Sequence, residues 1–70
     1  MKIGDKVRVA RMSEYDLMVY RAQNIPLEIG RTGVVVDRSF SSSHGKIATV
    51  LMDDNQIKSI WCEDQLEIME

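Results

Sequence analysis

The sequence has few of the residues that build catalytic and metal sites, because its 70 residues include one cysteine and one histidine. A single Cys62 excludes an internal disulfide, and Cys62 with His44 falls short of the four ligands of a structural zinc site. His44 lies in a serine-rich stretch where an imidazole lacks support for proton transfer. We therefore predict no catalytic residue, no metal and no cofactor.

Long apolar runs are also missing, since no stretch reaches the roughly 18 apolar residues of a membrane span. The expectation is a soluble protein of a reducing compartment, located in the cytoplasm. Seventy residues leave room for one domain, residues 1–70, with a small core.

Charge is unevenly distributed along the chain. The first fifty residues hold eight cationic and five acidic side chains, a net of +3, and the last twenty have a net charge of −5. Because the two parts must pack together, we expect part of this asymmetry to cancel in cross-strand pairs. The acidic total argues against generic binding to nucleic acid, which depends on clustered lysine and arginine.

Apolar and polar residues alternate in segment 3–10, where Val7 and Val9 oppose Lys6 and Arg8, and this predicts a half-buried strand. Further strands are predicted at 34–36, 47–52, 57–61 and 66–68. Turn signals separate them at 41–45 and 53–56, and a 3₁₀ turn is predicted at 62–65. Five short strands predict an all-β domain, and closing them into a small barrel removes exposed edges.

The segment 12–30 breaks the alternation. Ser13 is a possible cap for a short helical turn, but Val19 and Asn24 weaken a helix and Pro26 ends it. We predict a long, partly ordered loop, longer than the usual connection of about 4 to 6 residues and a candidate for function. It carries Tyr15 and Tyr20, of which at least one should be exposed.

Three segments together carry a family resemblance. They are residues 3–9 (Ile-Gly-Asp-Lys-Val-Arg-Val), residues 30–35 (Gly-Arg-Thr-Gly-Val-Val), and the Asp53-Asp54 pair followed by residues 61–67 (Trp-Cys-Glu-Asp-Gln-Leu-Glu). The chain resembles the SH3-like barrels of photosynthetic electron transport. That group includes the small ferredoxin-docking subunit of photosystem I, the variable chain of ferredoxin–thioredoxin reductase and the PetP subunit of the cytochrome b6-f complex. The last of the three segments, Asp53-Asp54 with residues 61–67, is most similar to PetP.

The resemblance implies a small five-stranded SH3-like barrel with a long first loop, and a non-catalytic accessory subunit or docking module of a larger complex. Its location would then be the cytoplasmic face of a thylakoid membrane. The implied mechanism is charge and shape complementarity to an acidic partner such as ferredoxin. The partner-binding residues that we predict are Lys6, Arg8, Arg11, Tyr20, Arg21, Arg31 and Trp61.

Other interpretations stay open. In one interpretation Trp61 packs in the core beneath the long loop, and in the other it anchors a partner. Lys6 and Arg8 also suit a solvated strand face. A KOW-like or phage-encoded barrel that contacts nucleic acid or the transcription or translation machinery is the second functional hypothesis. A redox sensor based on Cys62 ranks last, because the neighbouring Glu63 and Asp64 disfavour a thiolate.

Overall fold

A computed structural model describes residues 1–69, which form one antiparallel sheet and one helix. The elements in chain order are β1 (Lys6–Val9), α1 (Glu14–Ala22), β2 (Thr32–Ser41), β3 (Gly45–Met52), β4 (Lys58–Cys62), the 3₁₀ turn (Glu63–Gln65) and β5 (Leu66–Ile68). The prediction of an all-β domain with five strands is confirmed.

The two edge strands of this sheet are consecutive along the chain. The strand order is β4-β3-β2-β1-β5, and only the 3₁₀ turn joins β4 to β5. In a flat sheet four strand spacings would separate the edges by about 19 Å. Four residue steps from Cys62 to Leu66 reach at most about 14 Å. The sheet must therefore curl, and the expected SH3-like barrel is what results.

A bulge in β2 provides part of this curvature. Val35 lies opposite Val50 and Asp37 lies opposite Thr49, so Val36 is an extra residue on β2. A bulge bends its strand and increases the local twist. This allows β2 to pair with β1 near its start and with β3 along most of its length.

The core consists of alternate residues from four strands. Its buried cluster is Val7, Val9, Val35, Ala48, Val50, Met52 and Leu66. The alternation predicted for the first strand is observed, because Val7 and Val9 are each 1% exposed while Lys6 and Arg8 are exposed. No polar or charged residue among residues 1–69 is buried.

The predicted loop over 12–30 is wrong for its central part, where Glu14–Ala22 is a helix. Ser13 caps it, since its Oγ accepts a hydrogen bond from the Asp16 N–H at 3.1 Å. Acidic residues in the first turn and Arg21 in the last turn complement the helix dipole. These end effects, each worth about 0.3–1 kcal/mol, offset the modest helix propensity of Val19.

Strand boundaries also differ from the sequence predictions. The first strand begins at Lys6 rather than residue 3, because Gly4, with φ of 98°, belongs to a turn in which the Asp5 N–H donates to the Lys2 carbonyl. The second strand is longer, since it extends on both sides of the predicted 34–36. The third strand begins at Gly45 rather than residue 47, and the fourth covers Lys58–Cys62 rather than 57–61. The hairpin tip predicted at 41–45 is confirmed at residues 42–44, and the 3₁₀ turn predicted at 62–65 is confirmed at Glu63–Gln65.

Gly33 occupies a close approach between β2 and β3. It lies between Val7 of β1 and Met52 of β3 in the sheet register. A Cβ atom here would lie 2.5 Å from Val50 Cγ1 and 2.6 Å from the Leu51 carbonyl oxygen. The position therefore accommodates only hydrogen without movement of the β3 backbone.

We expect Gly33→Ala to lower the free energy of unfolding by about 1–3 kcal/mol, because the methyl group overpacks this contact. Urea unfolding followed by the fluorescence of Trp61, the only tryptophan, measures the change. Ser39→Ala is the control, since Ser39 is exposed on the same strand and should alter stability by less than about 0.5 kcal/mol. Equal unfolding midpoints for the two variants would contradict the close-approach interpretation.

Candidate functional site

Ion pairs connect the basic first part of the chain to its acidic end. Five are present among residues 1–69, and four of them join the first fifty residues to the last twenty. These four pairs are Lys6–Asp53, Arg8–Glu67, Arg31–Asp54 and Arg38–Glu63. The expectation that part of the charge asymmetry cancels is confirmed, although only Arg8–Glu67 is a pair between two neighbouring strands.

The Asp53-Asp54 turn after β3 joins the starts of β1 and β2. Asp53 pairs with Lys6 and also accepts a hydrogen bond from Thr32 Oγ1 at 2.7 Å. These two contacts hold the pKa of the Asp53 carboxyl below its usual value of 3.8, and the contact with Lys6 has the larger effect. Our interpretation of residues 53–56 as a hairpin turn is confirmed, and its carboxylates are engaged by the chain itself.

Arg31 is the most constrained cation of the predicted set. Its Nε and Nη2 atoms donate to the two carboxylate oxygens of Asp54 at 3.1 and 2.9 Å, and Nη1 pairs with Glu28. This two-point contact lowers the pKa of Asp54 and raises that of Arg31. The Tyr20 hydroxyl donates a hydrogen bond to Glu28 at 3.4 Å. Partial burial and, to a lesser extent, the negative charge of Glu28 raise the pKa of this hydroxyl.

The other predicted cations lie in three different environments. Arg8 pairs at 3.1 Å with Glu67, its cross-strand neighbour on β5. Arg11 donates to the Asp64 carbonyl of the 3₁₀ turn. Arg21 is exposed in the last turn of α1 and forms no ion pair within residues 1–69. Four of the five predicted cations are thus held by the chain's own acceptors, and partner binding by any of them stays a prediction.

A groove of about 550 Å³ lies between the start of α1 and β4. We call it the α1–β4 groove. Its lining residues are Ser13, Tyr15 and Asp16 from the helix start, His44 and Ile47 from the β2–β3 hairpin, Ile60, Trp61 and Cys62 from β4, and Asp64 and Gln65 from the 3₁₀ turn. Its volume exceeds the roughly 330 Å³ of a second groove beside Pro26 and Arg31.

Trp61 combines the two interpretations open at the sequence level. It is half-buried and packs against the core cluster, yet it also lines the α1–β4 groove. Its Nε1 atom is buried without a hydrogen-bond partner in residues 1–69, an arrangement that costs free energy. Tyr15, 69% exposed, lines the same groove and confirms that one loop tyrosine is exposed.

Sequence reasoning selected Trp61 for the site but not Tyr15, Asp16 or Ile60. Period-two patterning placed Ile60 on a strand without showing that the strand is an edge. Asp16 reaches the groove only because it lies in the first turn of α1. Besides Trp61, the sequence signal that pointed here was the expectation of an exposed tyrosine in the long connection.

Cys62 and His44 both line the groove, but neither takes part in a ligand cluster. Cys62 is half-buried at the end of β4, and its N–H donates to Gln65 Oε1 at 3.1 Å. His44 is exposed in the hairpin tip. Over residues 1–69, no group of three or more His, Cys, Asp or Glu side chains is arranged to hold a metal ion.

Similarity to known proteins is found at the level of structure. No protein-family model matches the sequence, and no curated protein matches it. The solution structure of the cyanobacterial cytochrome b6f complex subunit PetP matches with a TM-score of 0.72 and 23% identity, over 100% of this chain and 81% of that one. The fold is similar to that of PetP. At this level of identity, the similarity shows the fold alone.

The one helix that the structure describes is too short and too polar to cross a membrane. This finding agrees with the absence of a long apolar run in the sequence.

We expect acid to destabilise the fold through the Asp53-Asp54 turn. Both carboxyls have pKa values below 3.8 when folded, so their contribution is complete at higher pH and is lost as pH falls below about 4. Asp54→Asn should flatten this acid limb in urea unfolding between about pH 6 and pH 2.5. Asp37→Asn is the control, because its carboxylate is in none of the ion pairs among residues 1–69, and a parallel loss in both variants would refute this assignment.

Proposed function

We propose that this chain is a non-catalytic accessory subunit that binds a larger protein complex of electron transport. The observation that carries the proposal is the fold similarity to PetP, which extends over 100% of the chain. PetP is itself a subunit of the cytochrome b6f complex. The complex that we propose as partner is of this type, with the chain on the cytoplasmic face of a thylakoid membrane.

The distribution of apolar side chains supports a protein-binding role. Eight hydrophobic residues are buried, whereas eleven large ones are exposed. Ile25, Leu27 and Ile29 are exposed together in the short segment after α1, at 42%, 38% and 45%. Tyr15 and Met18, one helical turn apart on α1, are exposed by more than 60%. Exposed apolar groups at this density are typical of surfaces that another protein covers.

Charge would orient the encounter in this proposal. The predicted cations Lys6, Arg8, Arg11 and Arg31 are held by acceptors of the chain itself, so an acidic partner such as ferredoxin would have to compete for them. Arg21 has no such competitor in residues 1–69 and is, among the predicted cations, the one most available to a partner. Tyr20 and Trp61 would contribute the apolar part of the contact.

The same pairing weighs against a KOW-like nucleic-acid binder. Phosphate binding depends on lysine and arginine side chains free to replace counterions. Here most cations of the predicted surface lie against carboxylates or a carbonyl, and the net charge of the chain is −2. We therefore propose the protein partner.

The test is co-purification of the tagged chain from its native cell extract, with and without nuclease. We expect subunits of an electron-transport complex to be recovered in both samples. Arg21→Glu should slow association with the recovered complex about tenfold at low salt, measured by surface plasmon resonance. Lys46→Glu is the matched control, because Lys46 is an exposed cation outside the predicted surface.

Loss of all partners on nuclease treatment would reject the proposal in favour of nucleic acid. Equal association rates for Arg21→Glu and Lys46→Glu would reject the role of Arg21 alone.

A further inference from the structure

The free edge of β4 has backbone groups that point away from the sheet. Cys62 directs its N–H away from β3, to Gln65 Oε1, while the carbonyl of Ile57 accepts from Met52 of β3. Because backbone groups alternate sides along an antiparallel strand, residues 57, 59 and 61 face β3 and residues 58, 60 and 62 face outward. The N–H and carbonyl of Ile60 thus lie at the open edge, and so do those of Lys58.

The α1–β4 groove runs along this edge. Ile60, Trp61 and Cys62 are consecutive, so their side chains alternate between the two faces of the sheet, yet all three line the groove. The groove therefore meets β4 on both faces of the sheet at the edge strand, and it also reaches Ile47 of β3. Ile60 is 68% exposed, and Tyr15 forms part of the opposite wall.

The charged lining of the groove is acidic. Asp16 and Asp64 both line it, and neither carboxylate enters an ion pair within residues 1–69. The lining contains no lysine or arginine, and His44 is its single histidine. A ligand with a lysine or arginine would complement this charge.

We propose that the α1–β4 groove binds an extended segment of a partner protein, which adds as a strand to the edge of β4. The backbone of the segment hydrogen-bonds with Ile60 and Lys58. An apolar side chain packs between Tyr15 and Ile60, and a lysine or arginine lies beside Asp16 and Asp64. This is strand addition to an exposed sheet edge. It rests on the proposed function, because the segment belongs to the partner complex.

Shape and charge favour a slender segment over a second copy of this chain. The wall formed by Ser13, Tyr15 and Asp16 leaves a groove beside the edge rather than a flat surface on which another barrel can pair. A second copy would also bring its own Asp16 and Asp64 to an acidic groove. Gln65 occupies the Cys62 N–H, so the open edge is short, as suits a segment of a few residues.

The experiment uses Trp61 as the reporter, because the only tryptophan of the chain lines the groove. The probe is the blocked peptide Thr-Val-Lys-Val-Lys-Val-Thr, titrated into the full chain. We expect a saturable change of fluorescence with a Kd of about 10⁻⁴ M, which is typical of a short strand with few hydrogen bonds. The same peptide with glutamate in place of lysine should bind at least about tenfold more weakly.

Two further comparisons separate strand addition from charge attraction. N-methylation of the central valine removes one backbone donor and should weaken binding about fivefold or more. In the protein, Asp16→Asn with Asp64→Asn should weaken binding of the lysine peptide about fivefold. Asp37→Asn, an exposed carboxylate outside the groove, should leave it unchanged.

Absence of saturation up to about 10⁻² M, or equal binding of the N-methylated peptide, would overturn the inference. A concentration-dependent dimer in sedimentation equilibrium that Ile60→Lys abolishes would assign the edge to a second copy and overturn it as well. If the peptide fails while co-purification with the complex persists, the inference alone is rejected. Failure of both rejects the proposed function too.

Discussion

The short connection between β4 and β5 is the constraint on which this fold depends. Because the 3₁₀ turn brings opposite edges of the sheet together, the sheet must curl around its inner face. Seven buried side chains then suffice for a closed core. The bulge at Val36 and the absence of a Cβ at Gly33 are local adaptations to this curvature, since one bends β2 and the other permits close contact with β3.

The curvature of the sheet also determines which charged side chains form ion pairs. Closing the sheet brings the acidic end of the chain against its basic first part. Four ion pairs then form between the first fifty and the last twenty residues. A surface that looks basic in the sequence is therefore largely balanced in the fold. In the proposed function, a partner meets a mixed surface in which exposed apolar side chains, rather than a single-sign field, provide most of the available contact.

The helix in the first connection creates the concave feature of the molecule. None of its residues is buried, so it contributes little to the core. Its start instead forms one wall of the α1–β4 groove and keeps the β4 edge from being a flat, open template. Ser13 caps the helix at the point where it lines the groove. The helix therefore contributes to the proposed binding surface rather than to the core.

Local alternation and residues with special backbone preferences predict the existence of the five strands, the turns and the inward-facing valines, although not the strand ends. Ser13 was recognised as a cap, but the sum of weak end effects that stabilises α1 was underestimated. Trp61 was found from its residue type alone. The edge position of β4, the groove that Asp16 and Ile60 share with Trp61, and the pairing of most predicted cations became visible in the folded chain. Those properties depend on which distant segments meet, and contacts such as Arg31 with Asp54 leave no local pattern in the sequence.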